Sequence, residues 1–351
     1  MIHRAKFQNF KALKDVEVTF DSRLTVLVGP NGSGKTSVLR GIYWLCQMAT
    51  HSTHLETASA EVGRAIGETY SGGTEPQLVE VATQIAEGDS GFRFRMYPGT
   101  QKPSVERFLG DTIAKTQFFA HPGLKFGPAE LIQLDPKRLA ASSETEQSPP
   151  SLQPDGSGLA SLMSYFKNED ETRYTQAVSM LRKIVERVQG VRITRVRVRG
   201  NGPMGEQLLF DLPDRKGVPA SAMSDGTLYA LGLIVKILDP QRPKTLLIDD
   251  IDHGFHPKAQ LTLVELLHKL LDEIPDLQII ATAHSPYILS GLKWEEVRVT
   301  GLRDDGSAVI QPLTKHPNYE KWKESMSPGE FWSHAGEEWV LRVPAGEAIA
   351  R

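Results

Sequence analysis

The sequence contains a single cysteine, Cys46, so no disulfide can form within the chain. A chain without disulfides is typical of a reducing compartment, and we expect a cytoplasmic protein. Cys46 ends the apolar run 42–46 (IYWLC). This setting favours a buried packing role for the cysteine over a reactive thiol.

Long apolar runs are also missing. No stretch of about 18 consecutive apolar residues occurs, so we expect no membrane-spanning helix. The first residues, 1–15, lack the apolar region of a secretory signal. No heptad pattern of apolar residues runs through the middle of the chain, which argues against a long coiled-coil arm.

The chain has no general excess of positive charge, because its formal net charge is −3. This value excludes a basic coat for nucleic acid but allows a local basic patch. One basic stretch lies at 182–199, with Glu186 as its only acid; its cations are Arg182, Lys183, Arg187, Arg192, Arg195, Arg197 and Arg199. Charge runs of this kind usually form solvated surfaces, and a contact with DNA is the alternative.

Alternating helix and strand patterns predict a parallel α/β sheet in the second half of the chain. The predicted elements are a helix, a strand, a helix and a strand at Thr227–Leu238, Thr245–Asp249, Pro257–Asp272 and Leu277–Ala283. Near the start, two strands at 16–20 and 24–28 lead into a glycine-rich turn and a helix at 37–48.

These patterns predict a nucleotide-binding core at 1–50 and 220–315, split by an inserted lobe at 51–219 and followed by a tail at 316–351. The lobe is predicted to contain a polar loop, a β-hairpin, an exposed linker, two helices and two strands, at 50–75, 77–97, 140–158, 159–167, 171–188, 191–199 and 206–212.

The segment GPNGSGKTS, Gly29–Ser37, matches the P-loop pattern G-x-x-x-x-G-K-[ST] and lies between an apolar strand and a helix. Glycines let the backbone wrap a phosphate, and the first N–H groups of the helix point at it. Lys35 is predicted to reach the β- and γ-phosphates of ATP, and Thr36 to bind Mg²⁺. The predicted nucleotide-binding residues of this segment are Asn31, Gly32, Ser33, Gly34, Lys35, Thr36 and Ser37.

A second segment, TLLIDDIDHGFHP at 245–257, carries two adjacent carboxylates at the end of an apolar strand. Ligands of open parallel sheets bind at the carboxyl ends of the strands, where Asp249 would bind Mg²⁺ beside the P-loop. Asp250 follows at the place expected for a general base. A surface turn after a buried strand is the alternative, and the P-loop disfavours it.

Two shorter segments complete the pattern. The first, AMSDGT at 222–227, stands directly before an apolar helix, where Ser224 is a suitable N-cap residue. The second, IIATAHSP at 279–286, is a buried strand that ends at His284. Taken alone, each has an ordinary structural explanation.

Together these segments resemble the ABC-type ATPases of the RecF/SMC class, and in particular the stand-alone branch related to the overcoming-lysogenization-defect (OLD) proteins. GPNGSGKTS looks like the Walker A motif, MSDGT like the ABC signature, IDDIDHGFHP like Walker B with the D-loop, and ATAHSP like the switch histidine. FQNFKALKDVEV looks like the opening strand near the adenine, and PDGSGLASLM resembles part of the insertion in this branch. The resemblance implies a P-loop NTPase fold of ABC type, with a mixed sheet flanked by helices, an inserted α+β lobe and no long coiled coil.

The family mechanism implies a homodimer that forms on ATP binding. Ser224, Asp225 and Gly226 would contact the γ-phosphate of the ATP in the partner subunit. His284 would contact the γ-phosphate in its own subunit or orient the attacking water. Gln133, in AELIQLDP, is a candidate for the Q-loop glutamine.

One residue departs from the family pattern, which usually has Asp-Glu at the end of Walker B and here has Asp249-Asp250. Aspartate is one methylene shorter, and proton abstraction requires hydrogen-bond reach to the water, so we expect slow hydrolysis. A metal-dependent nuclease site is an alternative interpretation of the acidic and histidine side chains here, which are Asp249, Asp250, Asp252, His253 and His256.

Two functions of different classes follow from the resemblance. ATPases of this kind occur in bacterial anti-phage systems such as Septu and PARIS, which implies a regulatory ATPase that controls a separate nuclease or toxin. The alternative is a DNA-clamping ATPase in repair or maintenance, supported by the stretch 182–199. The OLD proteins carry a Toprim nuclease domain, and we expect too few residues after His284 for one. A transporter subunit is disfavoured, because the signature is MSDGT and not LSGGQ.

The tail is rich in aromatic residues. Ser327 and Glu330 have the spacing of a capping box at a helix N-terminus, and Phe331, Trp332 and Trp339 follow. These aromatic side chains are either a docking element for a partner protein or part of the core of their own domain.

Overall fold

The computed structural model describes residues 1–50, 77–85, 88–96, 104–109, 112–114, 129–143, 149–197 and 203–342. Contacts divide the chain into two compact units. Unit 1 contains Met1–Leu131, Pro243–Ile251 and Ile274–Arg351. Unit 2 contains Ile132–Arg242 and Asp252–Glu273.

The described strands are β1 Arg4–Phe10, β2 Leu13–Thr19, β3 Leu24–Val28, β4 Gln77–Ile85, β5 Gly88–Met96, β6 Ser104–Leu109, β7 Thr112–Ala114, β8 Ala129–Ile132, β9 Gly190–Arg197, β10 Met204–Asp211, β11 Val218–Pro219, β12 Thr245–Ile248, β13 Gln278–Ala283, β14 Val297–Leu302 and β15 Ala308–Pro312. The described α-helices are α1 Lys35–Thr50, α2 Pro136–Ala140, α3 Leu159–Glu169, α4 Glu171–Ile184, α5 Asp225–Leu238, α6 Pro257–Glu273, α7 Pro286–Ser290, α8 Tyr319–Trp322 and α9 Pro328–Ala335.

A mixed sheet in the order β15-β14-β3-β13-β12-β8 carries the predicted parallel core. Strands β14, β3, β13 and β12 run parallel to one another, and β15 is antiparallel to β14. Every residue of β3, β12 and β13 is buried, as expected for parallel strands covered on both faces. The predicted parallel α/β sheet is confirmed.

A second sheet of unit 1 is antiparallel and has the order β2-β1-β4-β5-β6-β7. The predicted hairpin at 77–97 is confirmed as β4 and β5, which pair from Gln77↔Met96 to Ile85↔Gly88. Helix α1 packs closely on β1, because a Cβ atom added to Gly41 would lie 2.6 Å from the ring of Phe7.

Helix α1 also carries the single cysteine. Cys46 is buried, and desolvation raises the pKa of its thiol to about 12. This agrees with the packing role that the sequence predicts. None of the helices that the structure describes has the length and apolar composition needed to cross a bilayer. The longest described helix, α6, has 17 residues, so the described part of the chain contains no long coiled coil.

Unit 2 combines helices α2 to α6 with the small sheet β11-β10-β9. Helix α5 is apolar on all sides, and its residues from Thr227 to Leu238 are buried. The prediction that the linker at 140–158 is exposed is wrong for the described second part of that linker. Leu152 is 1% exposed, and its backbone N–H and carbonyl groups are hydrogen-bonded to side chains of α5 and of its C-cap residue. Residues 144–148 of that linker and the predicted loop at 51–75 lie outside the described residues.

The aromatic tail packs on unit 1. The ring of Phe331 lies 5.1 Å from that of Trp294 and 4.7 Å from that of His316, and Trp339 lies 5.0 Å from His316. Phe331 and Trp339 are 4% and 8% exposed, so these two side chains belong to the core of their own unit. Trp332 is half-buried, and its docking of a partner stays a prediction. The capping box at Ser327 is confirmed, and α9 begins there.

The boundaries of the two units differ from the predicted domain boundaries, which lie after residues 50, 219 and 315. Strands β4 to β7 join unit 1 because β4 pairs with β1. Residues 220–242 join unit 2 because α5 packs against α2 and α4. The proposed division into core, inserted lobe and tail stays a prediction about domains.

Candidate nucleotide-binding site

The glycine-rich turn Gly29–Ser37 connects β3 to α1 and has the backbone that the P-loop pattern predicts. Gly29, Gly32 and Gly34 have φ angles of 146°, 81° and 91°, which L side chains rarely adopt. A Cβ atom on Gly29 would lie 2.2 Å from the carbonyl oxygen of Thr300. Only glycine fits there, so the loop backbone lies directly against β14.

A hydroxyl pair anchors this turn inside unit 1. Ser33 is fully buried; its Oγ lies 2.5 Å from the Oγ1 of Thr300 and donates to the carbonyl of Pro30 at 2.8 Å. The Thr300 hydroxyl also lies 3.1 Å from the carbonyl oxygen of Val28. Thr300 carries no sequence signal of this role, because nothing local to β14 indicates that it pairs with β3.

Lys35 is 5% exposed, and its ammonium lies inside the loop. It donates to the carbonyl oxygens of Gly29 and Pro30 at 2.8 and 2.9 Å. The oxygens of a phosphate group carry negative charge, so they attract the ammonium more strongly than neutral carbonyl oxygens do. Asn31 and Gly32 are exposed at the tip, and Ser37 is half-buried in the first turn of α1.

The two predicted magnesium ligands are brought together. Thr36 Oγ1 lies 3.0 Å from Asp249 Oδ1. Adjacent oxygen ligands of an octahedral Mg²⁺ lie about 3 Å apart, given metal–oxygen distances of about 2.1 Å. A hydroxyl and a carboxylate are also the hard oxygen ligands that this ion prefers. The pair therefore fits Mg²⁺, which would neutralise charge on the phosphates of bound ATP.

Thr282, near the end of β13, binds both aspartates of Walker B, one through its carboxylate and the other through its backbone. Its hydroxyl donates to Asp249 Oδ1 at 2.7 Å and accepts the backbone N–H of Asp250 at 2.8 Å. Asp250 has a φ of 51°, an uncommon conformation for a residue other than glycine. Such outliers persist where the surroundings enforce them and are frequent at functional sites. Thr282 is a second residue of the site that no sequence motif indicates.

His284 lies next to Asp250. Its Nε2 is 3.4 Å from Asp250 Oδ1, and the two side chains are 40% and 53% exposed. The base and switch candidates thus share one edge of the sheet, and water can reach both. His284 follows β13 directly, and Ser285 caps α7 behind it by accepting the N–H of Tyr287 at 3.2 Å.

The predicted signature turn belongs to unit 2. Ser224 caps α5 by accepting the N–H of Thr227, and both Ser224 and Asp225 are exposed. Gly226 has no room for a side chain, because a Cβ atom there would lie 2.2 Å from the carbonyl oxygen of Gly254. The signature turn and the turn after Walker B are therefore in backbone contact. The signature turn also borders a cavity of about 750 Å³.

The histidines after Walker B form ordinary contacts. The ring of His253 lies 6.3 Å from that of Tyr229, and His256 Nδ1 accepts the N–H of Lys258 at 3.4 Å. Within the described ranges, no three histidine, cysteine or acidic side chains form a group that could hold a metal ion. The described residues therefore do not support the nuclease interpretation of this cluster.

The segment compared with the adenine-contacting strand forms the turn between β1 and β2. Asn9 and Lys11 have positive φ angles of 51° and 55°, and Phe10 between them is buried. The Lys11 ammonium lies 5.5 Å from the centre of the Trp44 ring. Desolvation, with the nearby charge of Arg40, lowers the pKa of Lys11. The contact with adenine stays a prediction.

The Q-loop candidate follows β8. Gln133 is exposed, and its backbone N–H donates to the carbonyl oxygen of Pro154 at 3.0 Å. Its role stays a prediction.

Comparison with known families gives one match that covers most of the chain. The profile of the family described as "AAA domain, putative AbiEii toxin, Type IV TA system" matches residues 24–290. This range contains the P-loop, Walker B, the signature turn and His284.

Curated relatives share shorter or weaker similarity. The chain is 25% identical to the OLD nuclease of Thermus scotoductus over an alignment that covers 88% of this chain and 64% of the relative. It is 40% identical to the DNA replication and repair protein RecF of Desulfitobacterium hafniense over 18% of this chain and 16% of the relative. It is 32% identical to the Septu protein PtuA of Bacillus thuringiensis over 19% of this chain and 16% of the relative. The chain therefore spans less than two thirds of each of these relatives.

Solved structures agree on the fold. The Smc head domain with a coiled coil and joint from Pyrococcus yayanosii superposes with a TM-score of 0.57 at 12% identity, covering 92% of this chain and 99% of that structure. The expected P-loop NTPase fold of ABC type is confirmed.

Turnover should be slow but measurable in the wild type and should fall in Asp250→Ala, by about 10²–10⁴-fold if Asp250 is the general base. Asp250→Glu should keep or raise the rate, because the longer side chain restores the usual reach to the water. Steady-state phosphate release measures this, with Lys35→Ala as the background. Lys35→Ala should also lose ATP–Mg²⁺ binding in calorimetry. A wild-type rate equal to that background would contradict the assignment of a catalytic base.

Proposed function

The chain belongs to the AAA-domain family whose profile it matches, and from this premise we propose that it is a cytoplasmic, nucleotide-driven switch that controls a separate effector in anti-phage defence. ATP with Mg²⁺ closes a homodimer, slow hydrolysis reopens it, and the effector is a nuclease or a toxin. The proposal has three parts, which are the chemistry, the dimer and the effector.

A row of side-chain contacts at the sheet edge supports the proposed hydrolysis of ATP. Thr36 contacts the Asp249 carboxylate. The Thr282 hydroxyl binds that carboxylate and the backbone N–H of Asp250. The Asp250 carboxylate lies 3.4 Å from His284 Nε2. This order supports a metal ligand pair at one end and a base with a γ-phosphate sensor at the other. Asp250 accepts the proton of the attacking water, and His284 orients that water or the γ-phosphate. The short aspartate side chain makes this step slow.

The exposed signature turn supports the dimer. Ser224 and Asp225 stand at the N-terminus of α5, where backbone N–H groups favour an anion. In the proposed dimer this turn meets the γ-phosphate of the ATP in the partner subunit. Binding of ATP then supplies contacts that exist only in the closed state, as a ligand-driven switch requires.

Three similarities support control of an effector. The family description names a toxin of a type IV toxin–antitoxin system. The similar proteins include an OLD nuclease and a Septu protein. We propose that the effector of this chain is another protein, whose activity follows the open or closed state of the ATPase dimer.

ATP should convert the Asp250→Ala protein from a monomer to a dimer in sedimentation velocity, because the variant holds ATP without hydrolysing it. Adding Ser224→Arg should prevent the change, since the substitution places bulk and a charge where the γ-phosphate of the partner subunit's ATP would lie. Lys269→Arg, an exposed conservative change on α6, is the matched control and should dimerise normally. An ATP-bound monomer of Asp250→Ala would overturn the switch.

Protection from phage should require this chain and the gene adjacent to it, and Lys35→Ala should abolish it because the nucleotide state sets the effector state. Plaque counts on cells carrying either gene, both genes, or both with Lys35→Ala measure this. Full protection by this chain alone, or by the pair with Lys35→Ala, would contradict control of a separate effector by ATP.

A second candidate function is a DNA clamp, and the exposure of the basic stretch favours it. Six of its seven cations are described, and all six side chains are exposed. Arg187 pairs with Asp214 at 3.2 Å and Arg192 with Asp211 at 2.7 Å. Arg195 and Arg197, on β9, form no ion pair within 4 Å with another described residue.

Under the clamp hypothesis, duplex DNA should bind the ATP-loaded protein with an affinity that falls steeply as salt rises. The double variant Arg195→Glu, Arg197→Glu should bind more weakly and show a log–log salt slope shallower by about two, because two phosphate contacts are lost. Fluorescence anisotropy at several salt concentrations measures this, with Arg187→Glu as a comparison for a cation already paired. Equal binding by wild type and double variant would reject the basic stretch as a DNA contact.

A further inference from the structure

Two buried charged residues lie at the C-terminal end of helix α5, which carries the signature turn at its other end. Lys236 is 3% exposed, and Asp239, the C-cap residue, is 1% exposed. Burial of an ammonium and a carboxylate is costly unless both are hydrogen-bonded. The partners of this pair therefore indicate what it holds in place.

Both charged groups bind the backbone of one residue. The Lys236 ammonium donates to the carbonyl oxygen of Leu152 at 2.6 Å, and the N–H of Leu152 donates to Asp239 Oδ2 at 3.0 Å. Asp239 Oδ1 accepts the N–H of Gln241 at 2.8 Å, and the amide of Gln241 donates to the carbonyl of Pro149 at 2.9 Å. Hydrogen bonds to charged groups are stronger than neutral ones, so this end of α5 holds the bound segment firmly.

The bound segment, residues 149–158, is called the strap here. Its second half pairs with the residues that follow β8. The N–H of Gln133 donates to the carbonyl of Pro154 at 3.0 Å, and the N–H of Asp135 donates to that of Asp155 at 2.9 Å. The strap thus connects the chain after β8 to the C-terminal end of α5.

One leucine fills the space between these three segments. Leu139, on α2, is fully buried. A Cβ atom on Gly156 of the strap would lie 2.7 Å from its side chain, and one on Gly232 of α5 would lie 2.5 Å from it. No space for a methyl group remains at either glycine, so the relative position of α2, the strap and α5 is fixed by packing as well as by charge.

We propose that Lys236 and Asp239 are positioning residues, which act through the strap to set the location of the signature turn. Helix α5 is a continuous helix of 14 residues, so a displacement of its C-terminal end is carried to Ser224 and Gly226 at the other. The strap therefore determines whether the turn reaches the γ-phosphate of the partner subunit's ATP. This inference rests on the proposed ATP-driven dimer.

The double variant Lys236→Met, Asp239→Asn tests the inference, because it removes the ammonium donor and leaves no isolated buried charge. ATP affinity of the monomer, measured by calorimetry with Ser224→Arg present to prevent dimerisation, should equal that of Ser224→Arg alone. Without Ser224→Arg, ATP-driven dimerisation and kcat should fall, by up to about 10²-fold, the cost of a misplacement of roughly 1 Å. Amides of the strap should exchange hydrogen faster, and Lys236→Arg, which keeps a donor, should retain dimerisation.

A matched control separates positioning from general loss of stability. Leu270→Ala removes a buried side chain of α6, an element of the same unit that includes neither the strap nor the signature turn, and leaves a cavity. All proteins are compared well below their melting temperatures. An equal fall in dimerisation for Leu270→Ala, or an unchanged double variant, would overturn the positioning role.

Two further results have defined meanings. If the double variant fails to fold, Gln241→Ala replaces it; that change removes only the exposed bond to Pro149 and should weaken dimerisation less but in the same direction. Normal dimerisation by Gln241→Ala would then count against the positioning role of the strap.

A wild-type protein that stays monomeric with ATP would overturn both the positioning role of the strap and the proposed function. A wild type that dimerises, with variants that dimerise equally well, would overturn the positioning role alone.

Discussion

The parallel order of β14, β3, β13 and β12 is the constraint on which the candidate site depends. Parallel strands end at the same edge of a sheet, so the P-loop after β3, Asp249 after β12 and His284 after β13 meet although more than 200 positions separate the first two in sequence. Burial of every residue in these three strands keeps the edge in register. The hydrogen bonds of the site form because this strand order brings their donors and acceptors together.

Two threonine hydroxyls convert that sheet edge into a site with defined geometry. Thr300 joins the P-loop to β14, and Thr282 joins the Asp249 carboxylate to the backbone N–H of Asp250. Each hydroxyl bonds to more than one neighbour, so each fixes the orientation of the groups around it. The positive φ of Asp250 is held by such a bond, since its N–H is bound by Thr282. The uncommon backbone conformation of Asp250 is therefore supported by the Thr282 hydroxyl.

The sequence predicted those features that short segments encode, and missed those that pairing creates. Gly29–Ser37 and the strand before Asp249 carry their own signals, and both were identified. Thr282 and Thr300 lack such a signal, because their importance arises only when β13 and β14 become neighbours of β3. The linker at 140–158 has a loop-like composition, yet Leu152 is buried because side chains about 85 positions away bind its backbone. A lysine within the apolar run of α5, Lys236, was the one available indication of that burial.

Burial of Cys46 has a practical consequence for spectroscopy. Its thiol is inaccessible and its pKa of about 12 keeps it protonated near neutral pH, so maleimide and nitroxide reagents, which react with accessible thiolates, will leave it unmodified. If one cysteine is introduced at an exposed position, that residue is then the only site in the chain that these reagents label. Distances between paired probes can be followed in solution without first replacing the natural cysteine in the core.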